Sequence, residues 1–482
     1  MATISEVDEL IKKFQSVIET DNNVLSYKDL NDILTSMLPF SLSNTFSFEL
    51  PVSFMKSLEV VCEHALQDGN IDFDICLYLT NFYRLCRNVC ATCIKNQLQI
   101  QQSSKFIELT KCLLSILVTH EHKNDDVLLL MRCAVQFLGN YSSGNSKNQC
   151  EVWGNFQLIF RKCIEVCDIK LQEYVSMVIH LILSNCDKNT DIMLDETSWE
   201  LLQTCIQIAT NSESENSLLV VEDSLMISNF CSSEFHRLSL EARVLWLEVL
   251  LNALQRLPED NNVSIDDTKA RSDIPCIDNI FYIAADFISQ SGYVPSMTSN
   301  EYNQSQIMCT VKELECLCVA SSHYQLYGSI QDNDQLVHVA VSLLQCIEDV
   351  GKEGNNVFTN VDKVSRAGEV NSDHPVYGLK RDLIRLLGNM AHKHQHNQNL
   401  VRELDGIPLI LNQTNIDGKN PFITQWSVFA IHNLTEENED NRLYIANLKL
   451  EGVANNQAVL DEMGLQAVKE NDKVVIKKKK LE

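Results

Sequence analysis

The sequence predicts an all-α protein built as a right-handed helical solenoid, and three features of the chain predict it. Glycine (15) and proline (8) are scarce among 482 residues, which disfavours the tight turns of sheet folds and suits helices. Apolar residues recur at helical spacing, as at Leu379, Leu383, Leu386, Leu387 and Met390 in LKRDLIRLLGNM. The third feature is a repeat, in which an asparagine ending one apolar helix is followed eight residues later by a second asparagine.

Four places carry this pattern: Asn88 with Asn96-Gln97, Asn140 with Asn148-Gln149, Asn389 with Asn397-Gln398, and Asn433 with Asn441-Arg442. The first two copies lie 52 residues apart and the last two 44, close to the period of about 40–47 for two- or three-helix solenoid repeats. The first asparagine is placed in the last turn of its helix. The second is expected as N-cap of the next, where a side-chain oxygen accepts from orphan amides. Gly406 then suits a helix C-terminus and Pro408 the first turn of its successor, and Asn420-Pro421 repeats such a break.

Apolar stretches such as KLQEYVSMVIHLIL and EARVLWLEVLLNALQRL read as helices packed on more than one side. They sit in an N-terminal helical repeat region, 1–257. Polar residues 258–275 form a loop or linker, and 276–350 are middle helical repeats. A second polar linker, 351–375, marks the main boundary. Residues 376–465 form a C-terminal repeat domain, and 466–482 a basic tail whose last ten or so residues are expected to be disordered.

Composition limits the function. A net charge of −26 repels nucleic acid and anionic lipid, and Lys477–Lys480 is the one strong basic run. No run approaches the ~20 apolar residues of a membrane-spanning helix. The opening MATISEVDELIKKF lacks a basic region and an unbroken apolar core, so no signal peptide is expected. In a cytosolic or nuclear setting the 18 cysteines are expected as reduced core thiols. Cys86, Cys90 and Cys93 form one helical stripe, and no second CxxC completes the Cys90/Cys93 pair as a zinc site.

His392, His394 and His396 alternate in AHKHQHNQ, which invites a metal reading. They fall in the inter-helix loop that other copies fill with SSGNSK and EENED, where a polar residue suffices. Replacing all three with alanine is therefore expected to change stability by less than about 0.5 kcal/mol. No P-loop, HExxH or GxSxG is present, and DGNIDFD lacks the glycine that a calcium loop needs at its sixth position. No cofactor, metal or catalytic residue is assigned.

The L-x-N-L…N…I…GIP-L…L rhythm resembles armadillo repeats. The block LIRLLGNMAHKHQHNQNLVRELDGIPLILNQTNIDGKNPFITQWSVFAIHNLTEENEDNR resembles the C-terminal domain of the ataxin-10 family, over about residues 377–476. This implies an armadillo/HEAT-like solenoid without enzymatic activity, cytoplasmic and perinuclear. It implies a scaffold for protein partners in neurite growth, neuronal survival and cytokinesis. A G-protein β subunit and an O-GlcNAc transferase are the partners the resemblance implies, and self-association stays open.

In armadillo proteins the third-helix asparagine lines a groove and holds the backbone of an extended peptide. The matching positions are Asn88, Asn140, Asn389 and Asn433, with Arg84, Gln136, Arg385 and Phe429 four residues before them. The competing reading gives each amide a neighbouring backbone group as partner. Trp426, Phe429 and Asn433 share a helix face, and Arg385 and Asn389 hold the corresponding face one repeat earlier. Together they form a candidate aromatic-and-amide strip, against the alternative that Trp426 is buried core. Trp426 lies seven residues before Asn433 rather than four, which counts against the runner-up function, an import-receptor-type adaptor for basic segments. A metal-dependent enzyme using the loop histidines and Cys90/Cys93 is the third class.

Overall fold

A computed structural model describes residues 4–20, 27–41, 51–67, 71–91, 93–102, 104–120, 123–184, 194–212, 214–258, 274–298, 303–354, 356–361, 371–414, 417–448, 465–470 and 473–478. The chain divides into two units, Met1–Ser224 and Leu225–Glu482. That division falls inside the region 1–257 that the sequence left whole.

The first unit holds α1 (Ile4–Thr20), α2 (Tyr27–Ser41), α3 (Val52–Gln67), α4 (Phe73–Cys90), α5 (Ile94–Gln102), α6 (Ser104–Thr119), α7 (Asp125–Ser142), α8 (Ser146–Glu165), α9 (Ile169–Ser184), α10 (Glu196–Asn211) and α11 (Glu215–Met226). Helices α2, α4, α7 and α9 pack in succession as one layer, and α3, α6, α8 and α10 as a second. Between the layers runs a continuous core. Tyr83 and Phe106 both meet the Phe137 ring, at 5.8 and 5.4 Å between centroids, so residues of three helices interlock.

The second unit holds α12 (Phe230–Glu234), α13 (Leu240–Gln255), α14 (Ile277–Gln290), α15 (Gln304–Ala320), α16 (Tyr324–Tyr327), α17 (Asp334–Lys352), α18 (Leu379–Ala391), α19 (Gln395–Glu403), α20 (Gly406–Leu411), α21 (Ile423–Thr435) and α22 (Glu439–Asn447). Here α13, α15, α18 and α21 form the corresponding ladder, backed by α14 and α17. Trp246 is fully buried between Phe230 and Phe235. Each unit is thus a stack of helical repeats, as the sequence predicts.

The repeated loop differs from its expected form. N-caps are Asn145, His394 and Asn438, and the second asparagines Asn148, Asn397 and Asn441 stand three residues further on. Each of those backbone amides donates to the cap side chain. The loop turns one residue before the cap, where Gly144, Lys393 and Glu437 take left-handed φ values of 69°, 51° and 53°. The second asparagine is displaced from the cap because its own amide reaches back seven residues, to the carbonyl ending the preceding helix. These bonds are Asn96 to Val89 (2.9 Å), Asn148 to Tyr141 (2.8 Å), Asn397 to Met390 (2.9 Å) and Asn441 to Leu434 (2.7 Å).

This geometry also revises the histidine loop. His394 accepts the Asn397 amide through Nδ1, His396 Nε2 lies 3.0 Å from Asp334, and His392 packs on the Tyr324 ring. The His394 and His396 rings also meet edge-on at 6.3 Å between centroids, and His394 is a helix cap.

Two further expectations fail. The described start of the 351–375 linker is docked against the C-terminal domain. Lys419 Nζ donates to the carbonyls of Asn356, Val357 and Thr359, and the Gly418 amide donates to the Val361 carbonyl. Phe358 is buried, and a Cβ on Gly351 would lie 2.7 Å from the Phe358 carbonyl oxygen. Beside this segment Lys380 Nζ, almost fully buried, donates to Glu348 (2.8 Å) and Asn360 (2.7 Å). In the tail, β1 (Leu465–Glu470) and β2 (Lys473–Lys478) pair antiparallel, Leu465 opposite Lys478. The β-branched run Val474-Val475-Ile476 favours extended backbone over the expected disorder. Residues 259–273, most of the first linker, and Lys479–Glu482 lie outside the described residues.

Two outcomes follow for stability. His394→Ala should cost about 1 kcal/mol in thermal unfolding through the lost cap, whereas His392→Ala and His396→Ala should each stay within about 0.5 kcal/mol. Burial raises the Glu348 carboxyl, but the hydrogen bond and charge of Lys380 outweigh it and hold the pKa below the usual value. A depressed folded pKa adds stability that is present above the unfolded value of about 4.3 and lost as pH falls through the folded one. Glu348→Gln should therefore flatten the acid limb of a pH–unfolding curve followed by circular dichroism; an unchanged limb would remove this pair from the account.

Candidate functional site

The ladder asparagines bind their own chain. Asn140 Nδ2 donates to the Arg87 carbonyl (2.8 Å), and Asn433 Nδ2 to the Gly388 carbonyl (2.9 Å). Arg87 and Gly388 each precede the ladder asparagine of the repeat before, so the two bonds are equivalent rungs. Asn389 Nδ2 donates to the Cys318 carbonyl (2.9 Å) and to Ser321 Oγ (3.0 Å). Asn88 Nδ2 donates to Ser41 Oγ (3.0 Å), while its Oδ1 accepts from Arg87. The amides proposed to hold a partner's backbone are therefore engaged inside the stack, and Asn389 and Asn433 are buried.

A glutamine layer extends the clamp. Gln97 Nε2 donates to the Cys90, Asn140 and Ser143 carbonyls, and Gln398 Nε2 to those of Ala391, Asn433 and Glu436. Each glutamine thus joins its own repeat to the next. Gln331 does the same at the carbonyls of Asn389, Met390 and His392 (2.9–3.2 Å). Sequence reading missed Gln331 because its repeat has no asparagine pair. The Asn389 bond to Cys318 puts Val319 at the ladder position of α15, which sets the register of that repeat.

Glycine opens the space for the rung. A Cβ on Gly388 would lie 3.0 Å from Phe429 Cδ1 and 3.1 Å from Ala430 Cα, so α21 approaches α18 more closely than alanine allows.

Arg385, Trp426 and Phe429 do come together. The Arg385 guanidinium carbon sits 4.9 Å from the Trp426 ring centroid, and the Phe429 ring meets Trp426 edge-on at 5.5 Å. Trp426 is half-buried rather than core, while Phe429 and its neighbour Val428 are exposed. Arg385 Nε is buried and has no hydrogen-bond partner. The strip is thus a cation over an aromatic pair, without the asparagines.

The described residues offer little to a catalyst. No group of three His, Cys, Asp or Glu among them is placed to hold a metal ion. Cys86, Cys90 and Cys93 are buried free thiols. Burial pushes Cys86 and Cys90 far up, so both stay protonated. No described helix is long and apolar enough to cross a membrane.

Helical repeats joined by side-chain amides, with one cation–aromatic cluster open on the ladder, define an α-solenoid repeat protein. A family model described as the spinocerebellar ataxia type 10 protein domain matches residues 379–477. Ataxin-10 of Homo sapiens is 30% identical over 430 residues, covering 87% of this chain and 86% of the human protein. Ataxin-10 of Xenopus tropicalis is 29% identical, covering 82% and 79% of the two chains. An ataxin-10 homolog of Dictyostelium discoideum is 48% identical over 101 residues, 21% of this chain and 16% of its own. The chain belongs to the ataxin-10 family. The likeness extends well beyond the C-terminal block in which the motifs are legible.

Removing one rung measures the clamp. Asn433→Ala should cost about 1–3 kcal/mol in chemical denaturation, because a buried carbonyl loses its donor. Gly388→Ala should cost about as much by forcing α18 and α21 apart. Values near zero for both would show that the ladder bonds do not hold the repeats together.

Proposed function

We propose that this chain is a non-enzymatic scaffold that binds protein partners through its helical surfaces, with the Arg385–Trp426–Phe429 strip as a contact. The observation that carries this reading is the strip itself. Tryptophan and arginine dominate binding hot spots, and here they are half-exposed and in mutual contact. Family membership supports a scaffold without catalytic chemistry.

The finer reading follows the family resemblance. Partners include a G-protein β subunit and an O-GlcNAc transferase, the setting is cytoplasmic and perinuclear, and the processes served are neurite growth, neuronal survival and cytokinesis. The adaptor for basic segments is the weaker reading, because Arg84, Arg87 and Arg385 lie on ladder helices where such a cargo needs carboxylates.

The test is capture of the two purified partners by the full chain and by its Arg385→Ala/Trp426→Ala variant. Loss of a hot-spot pair should weaken capture by at least about tenfold, with helicity and melting temperature near those of the parent. Equal capture by the folded variant would remove the strip from the function. Failure of the parent chain to capture either protein would remove those partners.

A further inference from the structure

We infer that the ladder face of α4 and α7 in the first unit is a docking groove for an extended protein segment carrying acidic residues at alternate positions. This site lies apart from the Arg385–Trp426–Phe429 strip, and its case does not depend on that strip binding anything.

The first observation is a pair of arginines without carboxylates in a strongly acidic chain. Arg84 and Arg87 are half-buried, three residues apart on α4. Arg84 donates to Asn81 Oδ1 (3.1 Å), and Arg87 donates to Gln136 Oε1 (2.6 Å) and Asn88 Oδ1 (3.1 Å). Among the described residues every side-chain oxygen these guanidiniums meet belongs to a neutral amide. Elsewhere in the same unit arginine is neutralised directly, as Arg132 is by Asp168 and Arg161 by Glu200. A chain of net charge −26 has ample carboxylates, yet among the described residues neither of these two cations is paired with one.

The second observation is convergence. Arg87 of α4 reaches Gln136 of α7, and Arg84 and Arg87 both act on the neighbouring Cys133 thiol, whose pKa burial raises and the two cations pull back. The two guanidiniums without an ion pair therefore meet at one place between α4 and α7. A guanidinium has five N–H donors, so both arginines keep donors for a ligand.

Geometry selects the occupant. Side chains at i and i+3 on a helix lie about 5–6 Å apart, and alternate residues of an extended strand lie about 6.5 Å apart on one face. Two carboxylates in an alternating segment thus match two guanidiniums, each a bidentate pair. A polyphosphate backbone carries charge along its whole length, and two guanidiniums leave most of that charge without a counterpart.

The experiment uses the full chain and a fluorescein-labelled peptide of alternating Glu and Ser, read by fluorescence anisotropy. A Lys-Ser peptide and a single-stranded DNA of equal length are the comparators. The Glu-Ser peptide should bind in preference to both, and added salt should weaken it. Arg84→Gln with Arg87→Gln should weaken it by about tenfold or more, as two lost charge-assisted contacts imply. Arg84→Lys with Arg87→Lys should retain more binding than the glutamine pair. If the double glutamine variant does not match the parent's helicity and melting temperature, Arg84→Gln alone serves, with a loss of about threefold or more expected from one contact. Absence of peptide binding, equal binding by the folded glutamine variants, or DNA bound as tightly through the same arginines would each overturn the inference.

Discussion

The backbone carbonyls at the C-terminal end of each ladder helix are the constraint on which the rest of the stack depends. A helix leaves its last carbonyls without intrahelical donors, and stacking buries those ends away from water, where an unmet acceptor is costly. At the end of α18 the burden is shared by three repeats. Gly388 O receives Asn433, Asn389 O receives Gln331, and Met390 O receives Asn397 and Gln331. Ala391 O receives Gln398, and His392 O receives Gln331. Neutral amides suit this task because they donate without bringing a charge that must itself be desolvated. Two of these donors come from neighbouring repeats, so satisfying the carbonyls and joining the repeats are one event.

That shared task explains why the repeat is visible in the sequence and why its meaning was partly misread. Asn96, Asn148, Asn397 and Asn441 recur at one offset because each reaches the same carbonyl seven residues back. The expected N-cap role belongs to a residue three positions earlier, and caps tolerate several side chains, so His394 stands where the other two loops have Asn145 and Asn438. Gln331 performs the glutamine's task in a repeat without an asparagine pair, and no pattern built on asparagine finds it. The docked segment around Phe358 was hidden for another reason. Its polar composition reads as linker, while the Lys419 and Asp417 side chains that hold it lie some sixty residues away in sequence.

The candidate site was legible in its members and not in their roles. Helical spacing placed Arg385, Trp426 and Phe429 together, because periodicity fixes which residues share a face. It does not reveal whether an asparagine on that face donates outward or to the helix beside it. The close approach of α18 and α21 at Gly388 settles that at this rung, since Asn433 reaches a backbone carbonyl directly. On the proposed reading, recognition falls to the residues one turn before each ladder asparagine, where Arg84, Gln136, Arg385 and Phe429 vary from repeat to repeat.

Variation at those positions atop a recurring amide frame separates stability from specificity. The frame works by short neutral contacts, so substitutions one turn away leave its carbonyls satisfied, and each repeat is free to present a different group. Charge on that face acts at short range only. Beyond about 8 Å, screening at physiological salt removes most of the field from any one guanidinium, and the net charge of the whole chain opposes an acidic partner. An acidic segment therefore gains from Arg84 and Arg87 only once it lies against them. Selection rests on bidentate geometry at the face rather than on long-range attraction, and that favours partners able to lie flat against α4 over those that are merely anionic.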